Sequence, residues 1–176
     1  MTKPESEDMM AKPFGTPHSL FDELVRIHRI IRRELDTCQR VAEAVAMGET
    51  VSNEQEQLQE LRAHGIVQQL RTDCLCYCRF VHAHHRHEDA WMLPTLRRES
   101  SELDTAIDRL QADHRRVSSL LDRVEGEASE LSNDNRAATG QRLAQALTAL
   151  SEELLEHLNY EEDTLEPVLS EWRALA

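Results

Sequence analysis

The sequence predicts an all-α fold, an up-down-up-down antiparallel four-helix bundle, on three observations. Only five glycines and five prolines interrupt 176 residues, and Leu, Ala, Glu, Gln and Arg are abundant. Apolar side chains recur at spacings of four and three along four long segments, the period of a helix with one buried stripe. The connections between these segments are short, which makes successive helices antiparallel neighbours. The length suits one domain with a real core. Residues 1–15, polar and acidic, read as a disordered tail, and residues 16–173 as the bundle.

The first helix is expected to start near Thr16, a capping residue followed by Pro17, and to stop at Gly48. Its stripe is Leu24, His28, Ile31, Leu35 and Cys38, so a histidine takes a core position. After a polar loop and the wet segment NEQEQLQELRAHG, a second helix is expected from about Ile66 to Arg98. Its stripe reads Leu70, Cys74, Tyr77, Val81, His84, Glu88 and Trp91, with two polar groups in core positions. Ser100 or Ser101 is expected to cap the third helix, where His114 interrupts Leu103, Ile107, Leu110, Val117, Leu121 and Val124. Beyond a turn around SNDN, the fourth helix carries Leu143, Leu147, Leu150, Leu154, His157 and Glu161, and ends beyond Pro167.

Counted from the helix ends, His28, His84, Glu88, His114, His157 and Glu161 fall at one depth of an antiparallel bundle, near one end, at about 1.5 Å per residue. The two halves also share a weak internal repeat. HxxxE followed by Pro and Leu occurs as His84, Glu88, Pro94 and Leu96, then at the same offsets as His157, Glu161, Pro167 and Leu169.

Four imidazoles and two carboxylates buried without compensation would be costly, since ionised carboxylates lose several kcal/mol of hydration apiece. A positive charge between them removes that cost. An i, i+4 pair can reach one point on the bundle axis, and the set suits two divalent ions, each with two imidazoles and sharing the carboxylates. Mixed nitrogen and oxygen ligation fits iron or manganese better than calcium or magnesium, with zinc possible from the ligands alone. Ferritin-like bundles need Glu-x-x-His pairs, and no histidine here has a glutamate three residues before it.

His28, HHRHED with His84 and Glu88, DHRRV with His114, and HLNYEED with His157 and Glu161 resemble the H…HxxxE…H…HxxxE signature of hemerythrin-like (HHE cation-binding) domains. The likeness covers about residues 18 to 170. It implies a non-haem di-iron centre, two irons bridged by the two glutamates. Oxygen-carrying hemerythrins have a fifth histidine one turn after the first on the third helix; here that position is Ser118, which argues against reversible oxygen carriage. Glu162, His87 and Tyr77 are the side chains considered for a replacement.

The leading function is therefore binding or sensing of dioxygen, nitric oxide or peroxide. The alternative is a di-iron enzyme, a catalase-like peroxide scavenger or an oxidase of a small substrate. An interaction module stabilised by its metals is a third class, and no appended regulatory domain points to it. The net charge of −13 argues against nucleic acid, Arg29, Arg32, Arg33 and Lys12 reading as a solvated exception. No apolar run spans a membrane, and no secretory signal pattern opens the chain. Cys38, Cys74, Cys76 and Cys78 fit a cytoplasmic protein as reduced packing residues. A monomer or weak homodimer is expected.

Within HAHHRHEDAW, His84 and Glu88 fall on the core stripe. The alternative pair His85 and Asp89 falls on the adjoining one with Cys78, His82 and Met92, at the rim, leaving His82, His85 and His87 as outer or surface groups. On this reading His84→Ala loses metal and His85→Ala largely keeps it, a contrast that metal analysis of the two purified variants checks.

Overall fold

The structure, a computed structural model, describes residues 19–48 and 56–173; for residues 56–63 it describes the backbone alone. The expected tail and the Thr16–Pro17 cap lie outside the described residues. The first helix, α1 (Leu20–Met47), is instead capped by Ser19. Ser19 Oγ accepts from the Asp22 amide at 3.1 Å while Asp22 Oδ2 accepts from the Ser19 amide at 3.1 Å, a capping box that satisfies two orphan donors. At the other end Gly48, with φ of 62°, adopts the left-handed conformation that stops a helix.

The second helix, α2 (Glu56–His87), begins about ten residues earlier than expected. NEQEQLQELRAHG lacks an apolar stripe, but its Glu, Gln, Leu and Arg residues are strong helix formers, and intrinsic propensity outweighed the missing pattern. The rod then continues through a π turn (Glu88–Met92) into α3 (Leu93–Glu99). Pro94 explains the π turn. It has no N–H to donate, and its ring would clash with the carbonyl four residues back, so the preceding turn widens and Leu93 N–H reaches the Glu88 carbonyl instead.

That widening changes which side chains face the core. Trp91, expected on the buried stripe, is 70% exposed, whereas Leu93 and Leu96 are fully buried. The π turn spends one residue extra on the turn, which rotates everything after Glu88 relative to a continuous 3.6-residue period.

Ser100 is extended and precedes a 3-10 turn (Ser101–Leu103) without a side-chain cap, and α4 follows (Asp104–Glu130). A tight turn leads into α5 (Arg136–Leu169). In it Asn135 accepts from the Ser132 amide at 2.9 Å and donates to the Glu130 carbonyl at 3.0 Å. Pro167 sits in the last turn of α5, where little helix remains to disrupt.

Cross-helix contacts fix the directions. Arg109 meets Glu156, Arg116 meets Glu153 and Arg142 meets Glu127, so residue numbers rise along α4 as they fall along α5. His82 with Asp122 and Arg97 with Asp108 set the same relation between the α2–α3 rod and α4. The Leu20 amide donates to the Trp172 carbonyl at 2.9 Å, tying the start of α1 to the end of α5. With α1 also packed on α2, the four rods close a ring. The expected antiparallel four-helix bundle is what forms, with no strand among the described residues. No described helix is long and apolar enough to cross a membrane.

The core is divided in two. A long apolar cluster runs from Val45 and Leu143 to Val81, Val117 and Leu158. A shorter one, with Leu24, Leu93, Leu96, Ile107, Leu110 and Leu165, closes the other end. Between them lie His28, His85, Glu88, His114, His157 and Glu161, all buried.

Two glycines separate propensity from packing. A Cβ at Gly126 would meet open space, so Gly126→Ala should gain about 1 kcal/mol of helix propensity. A Cβ at Gly140 would already lie 3.1 Å from Val45 Cγ1 and 3.2 Å from the Ala46 amide nitrogen, so Gly140→Leu should destabilise by about 1–3 kcal/mol. Urea unfolding midpoints of the two variants would show opposite signs.

Candidate metal centre

Each rod delivers its polar groups to the same layer. α1 supplies His28 between Leu24 and Ile31, and α4 supplies His114 between Leu110 and Val117. α5 supplies His157 and Glu161 one turn apart, and the α2 rod ends in His84, His85 and Glu88 where the π turn begins. All six residues expected from sequence are brought together.

The layer contains two groups of metal-capable atoms. His28, His84, Glu88 and Glu161 form one, and His85, His114 and His157 the other, each with its donor atoms within 4.8 Å of one another. His28 Nε2 and His84 Nε2 are 3.1 Å apart. Glu88 spans the groups, with Oε1 3.0 Å from His84 Nε2 and Oε2 3.5 Å from His114 Nε2. Glu161 Oε2 does likewise, 3.5 Å from His28 Nε2 and 3.6 Å from His157 Nε2.

Burial sets the protonation. It pushes the imidazoles of His28 and His84 down to about 3 and that of His157 to about 2, with neighbouring cationic groups adding to the effect. Burial also raises the Glu161 carboxyl to about 8, helped by the charges of Glu162 and Asp89, and holds Glu88 well above the usual carboxylate range. Close His and Glu groups usually form ion pairs; in this dry layer desolvation dominates, and without a cation the favoured state is neutral imidazole beside protonated carboxyl.

These residues fit divalent ions. Both oxygens of Glu88 and Glu161, and Nε2 of His85, His114 and His157, are buried without a hydrogen-bond partner. Native proteins leave very few such groups unpaired, since each costs about 1–3 kcal/mol. The backs of two rings, His28 and His114, are oriented by carboxylates, as expected of imidazoles that bind through the other nitrogen. His28 Nδ1 lies 2.8 Å from Glu162 Oε1, which also accepts from Arg32 at 2.7 Å, and His114 Nδ1 lies 2.9 Å from Asp89 Oδ1. Asp113 Oδ2 faces His157 Nδ1 at 3.9 Å.

His85 is where the sequence reading needs correction. It is 5% exposed rather than at the rim, stacked on His114 at 4.3 Å between centroids and edge-on to His157 at 5.1 Å. The buried face of α2 is wider than one stripe: Tyr77 with Cys78, and His84 with His85, are doublets seven residues apart, and Cys78 is fully buried. A seven-residue doublet is the signature of a helix with about three core positions per heptad, and it was present in the sequence. The side chains considered as replacements do not occupy this place. Glu162 holds the back of His28, His87 is exposed, and Tyr77 lies about 10 Å away along the helix, beside the cysteines.

A buried layer of imidazoles and carboxylates within an up-and-down bundle defines a helical metal-binding protein. The chain belongs to the Hemerythrin HHE cation binding domain family, whose family model matches residues 19–169. No curated protein and no solved structure gives a significant match.

The neutral layer makes the metal-free protein acid-sensitive. A histidine whose folded pKa is depressed stabilises fully above its unfolded value, near 6.5, and loses that contribution as pH falls toward about 3 for His28 and His84. Glu161, raised from 4.5 to about 8, works in the opposite sense between those values and cannot compensate below 4.5. The unfolding free energy of metal-free protein, read from urea titrations, should therefore drop most steeply below about pH 4.5, by up to about 1.4 kcal/mol per pH unit for each such histidine, and less steeply in His157→Leu. A level free energy from pH 4.5 to 3.5 would contradict the neutral layer.

Proposed function

We propose that this chain is a non-haem di-iron protein that binds or senses dioxygen, nitric oxide or peroxide. Its ligands are His28, His84, Glu88, His114, His157 and Glu161. The observation that carries the reading is the placement of Glu88, whose two buried, unpartnered oxygens face imidazoles of the two different groups. That is the arrangement a carboxylate shared by two ions requires. Imidazole with carboxylate ligation supports iron, with manganese the alternative metal.

When bound, such a pair supplies redox-active ions with open coordination positions for a small ligand. The chain's own residues do the rest. Glu162 and Asp89 hold His28 and His114 by their Nδ1 atoms, so that Nε2 faces the layer. Apolar clusters on both sides exclude water and favour small, weakly polar ligands. A cavity of about 270 Å³ between α1 and α2 runs from Ile30 and Phe80, within about one helical turn of His28 and His84, to Val41 and Leu70.

The enzyme alternative asks for a proton relay. The Tyr77 hydroxyl is buried without a partner near Cys38, Cys74 and Cys78, about two turns from His84, which favours binding over turnover. A reducing, cytoplasmic setting suits the free thiols, and a monomer or weak homodimer suits a site built within one chain.

Protein titrated anaerobically with ferrous iron should take up about two ions per chain, as the two donor groups require. Absorption changes on separate exposure to dioxygen, nitric oxide and peroxide would rank the ligands. Protein that takes up no iron sinks the reading. Peroxide-dependent oxygen evolution faster than free iron, and lost in Glu161→Ala, would transfer it to the enzyme class. Calorimetry should also find proton release on iron uptake near pH 7, because Glu161 is protonated below about 8 and must ionise to bind; the Glu161 share of that release should vanish above about pH 9.

A further inference from the structure

We infer that His85 is a fifth imidazole ligand, supplied by α2 and completing the group of His114 and His157. The inference rests on the di-iron reading above and extends its ligand set.

His85 Nε2 is buried without a partner, and the ring is 5% exposed. A packing histidine at such a place normally finds a hydrogen bond, because an unpaired buried imidazole nitrogen costs about 1–3 kcal/mol. Its neighbours here are three further imidazoles, His114 parallel at 4.3 Å with an interplanar angle of 11°, His157 edge-on at 5.1 Å and His84 tilted at 5.4 Å. The rings of His85, His114 and His157 contribute one nitrogen each within 4.8 Å, and Nε2 of each is buried without a hydrogen bond to its neighbours, which makes them a donor set for a cation. Nor does α4 supply the third imidazole, since Ser118 stands one turn beyond His114.

The backbone makes the placement possible. His84 and His85 are adjacent and therefore about 100° apart around α2, enough for one ring to face His28 and the other to face His114. Glu88, one turn on, lies between the two groups at the start of the π turn. The ligand count becomes unequal, with three imidazoles on one ion and two on the other, so the open positions concentrate on the side of His28 and His84.

The rival role is steric, with His85 only stacking on His114 to orient it. His85→Phe keeps the ring and the stack and removes the nitrogens, so it separates the two. In anaerobic ferrous titration with a competing chelator, the unmodified protein and the exposed-site control His87→Ala should bind two ions per chain with matching affinities. His85→Phe, checked for helix content by circular dichroism, should keep one and weaken the other by at least about 100-fold, more than loss of an outer partner typically does. Wild-type affinity for both ions in His85→Phe overturns the inference and leaves the di-iron reading standing. Failure of the unmodified protein to bind iron defeats that reading instead. Nitrogen-15 spectra of the unmodified, zinc-loaded protein give a second readout that needs no variant. Five metal-shifted imidazole nitrogens support the inference, and four overturn it.

Discussion

The structure depends on one constraint: five imidazoles and two carboxylates share a buried layer in the middle of an apolar core. Leu24, Leu93 and Leu110 close it on one side, and Ile31, Val81 and Val117 on the other. A charged side chain there would lose several kcal/mol of hydration. The protein without a cation therefore keeps its histidines neutral and its glutamates protonated, leaving seven strong donor groups poised and mostly unpaired. Antiparallel pairing is what permits this, because it brings one position of each rod to a common depth while the apolar stripes continue on either side.

The α2 rod carries more of the layer than any other, and it is the one that departs from regular geometry. His84, His85 and Glu88 occupy two consecutive turns, and the π turn starts at Glu88. Pro94 forces that widening from beyond the site, with two effects. Glu88 is presented where the helix is broadest, and the residues after it are rotated so that Leu93 and Leu96 seal the end of the core while Trp91 turns outward. The second HxxxE segment has the same proline offset, but Pro167 falls in the final turn of α5 and no π turn is formed there.

Much of this was legible in the sequence because burial leaves a period. The four-three stripes located the four rods, and polar residues on those stripes named His28, His84, Glu88, His114, His157 and Glu161. What was missed has physical causes. The sequence of the first ten residues of α2 has no apolar period to announce them. Trp91 follows a regular period that the π turn breaks. A single stripe puts His85 at the rim, while the Tyr77–Cys78 and His84–His85 doublets mark a wider core face. The start of α1 was placed at Thr16, yet Ser19 with Asp22 makes the reciprocal cap that a hydroxyl three residues before an acid provides.

The outer carboxylates make the two ends of the layer electrostatically different. Glu162, behind His28, also accepts from Arg32, which in turn donates to Asn159, so its negative charge is largely shared with a guanidinium. Asp113, near His157, is held by Arg116 and approached by Arg109 at 3.7 Å. Asp89, behind His114, meets no arginine among the described residues. A carboxylate without a counter-cation draws the Nδ1 proton more strongly and makes the opposite nitrogen a better donor. His114 should thus be the more electron-rich imidazole and His28 the less. The group containing His114 has three imidazoles, and the group containing His28 has two with a damped outer partner. The two donor groups therefore differ in basicity as well as in their number of imidazoles.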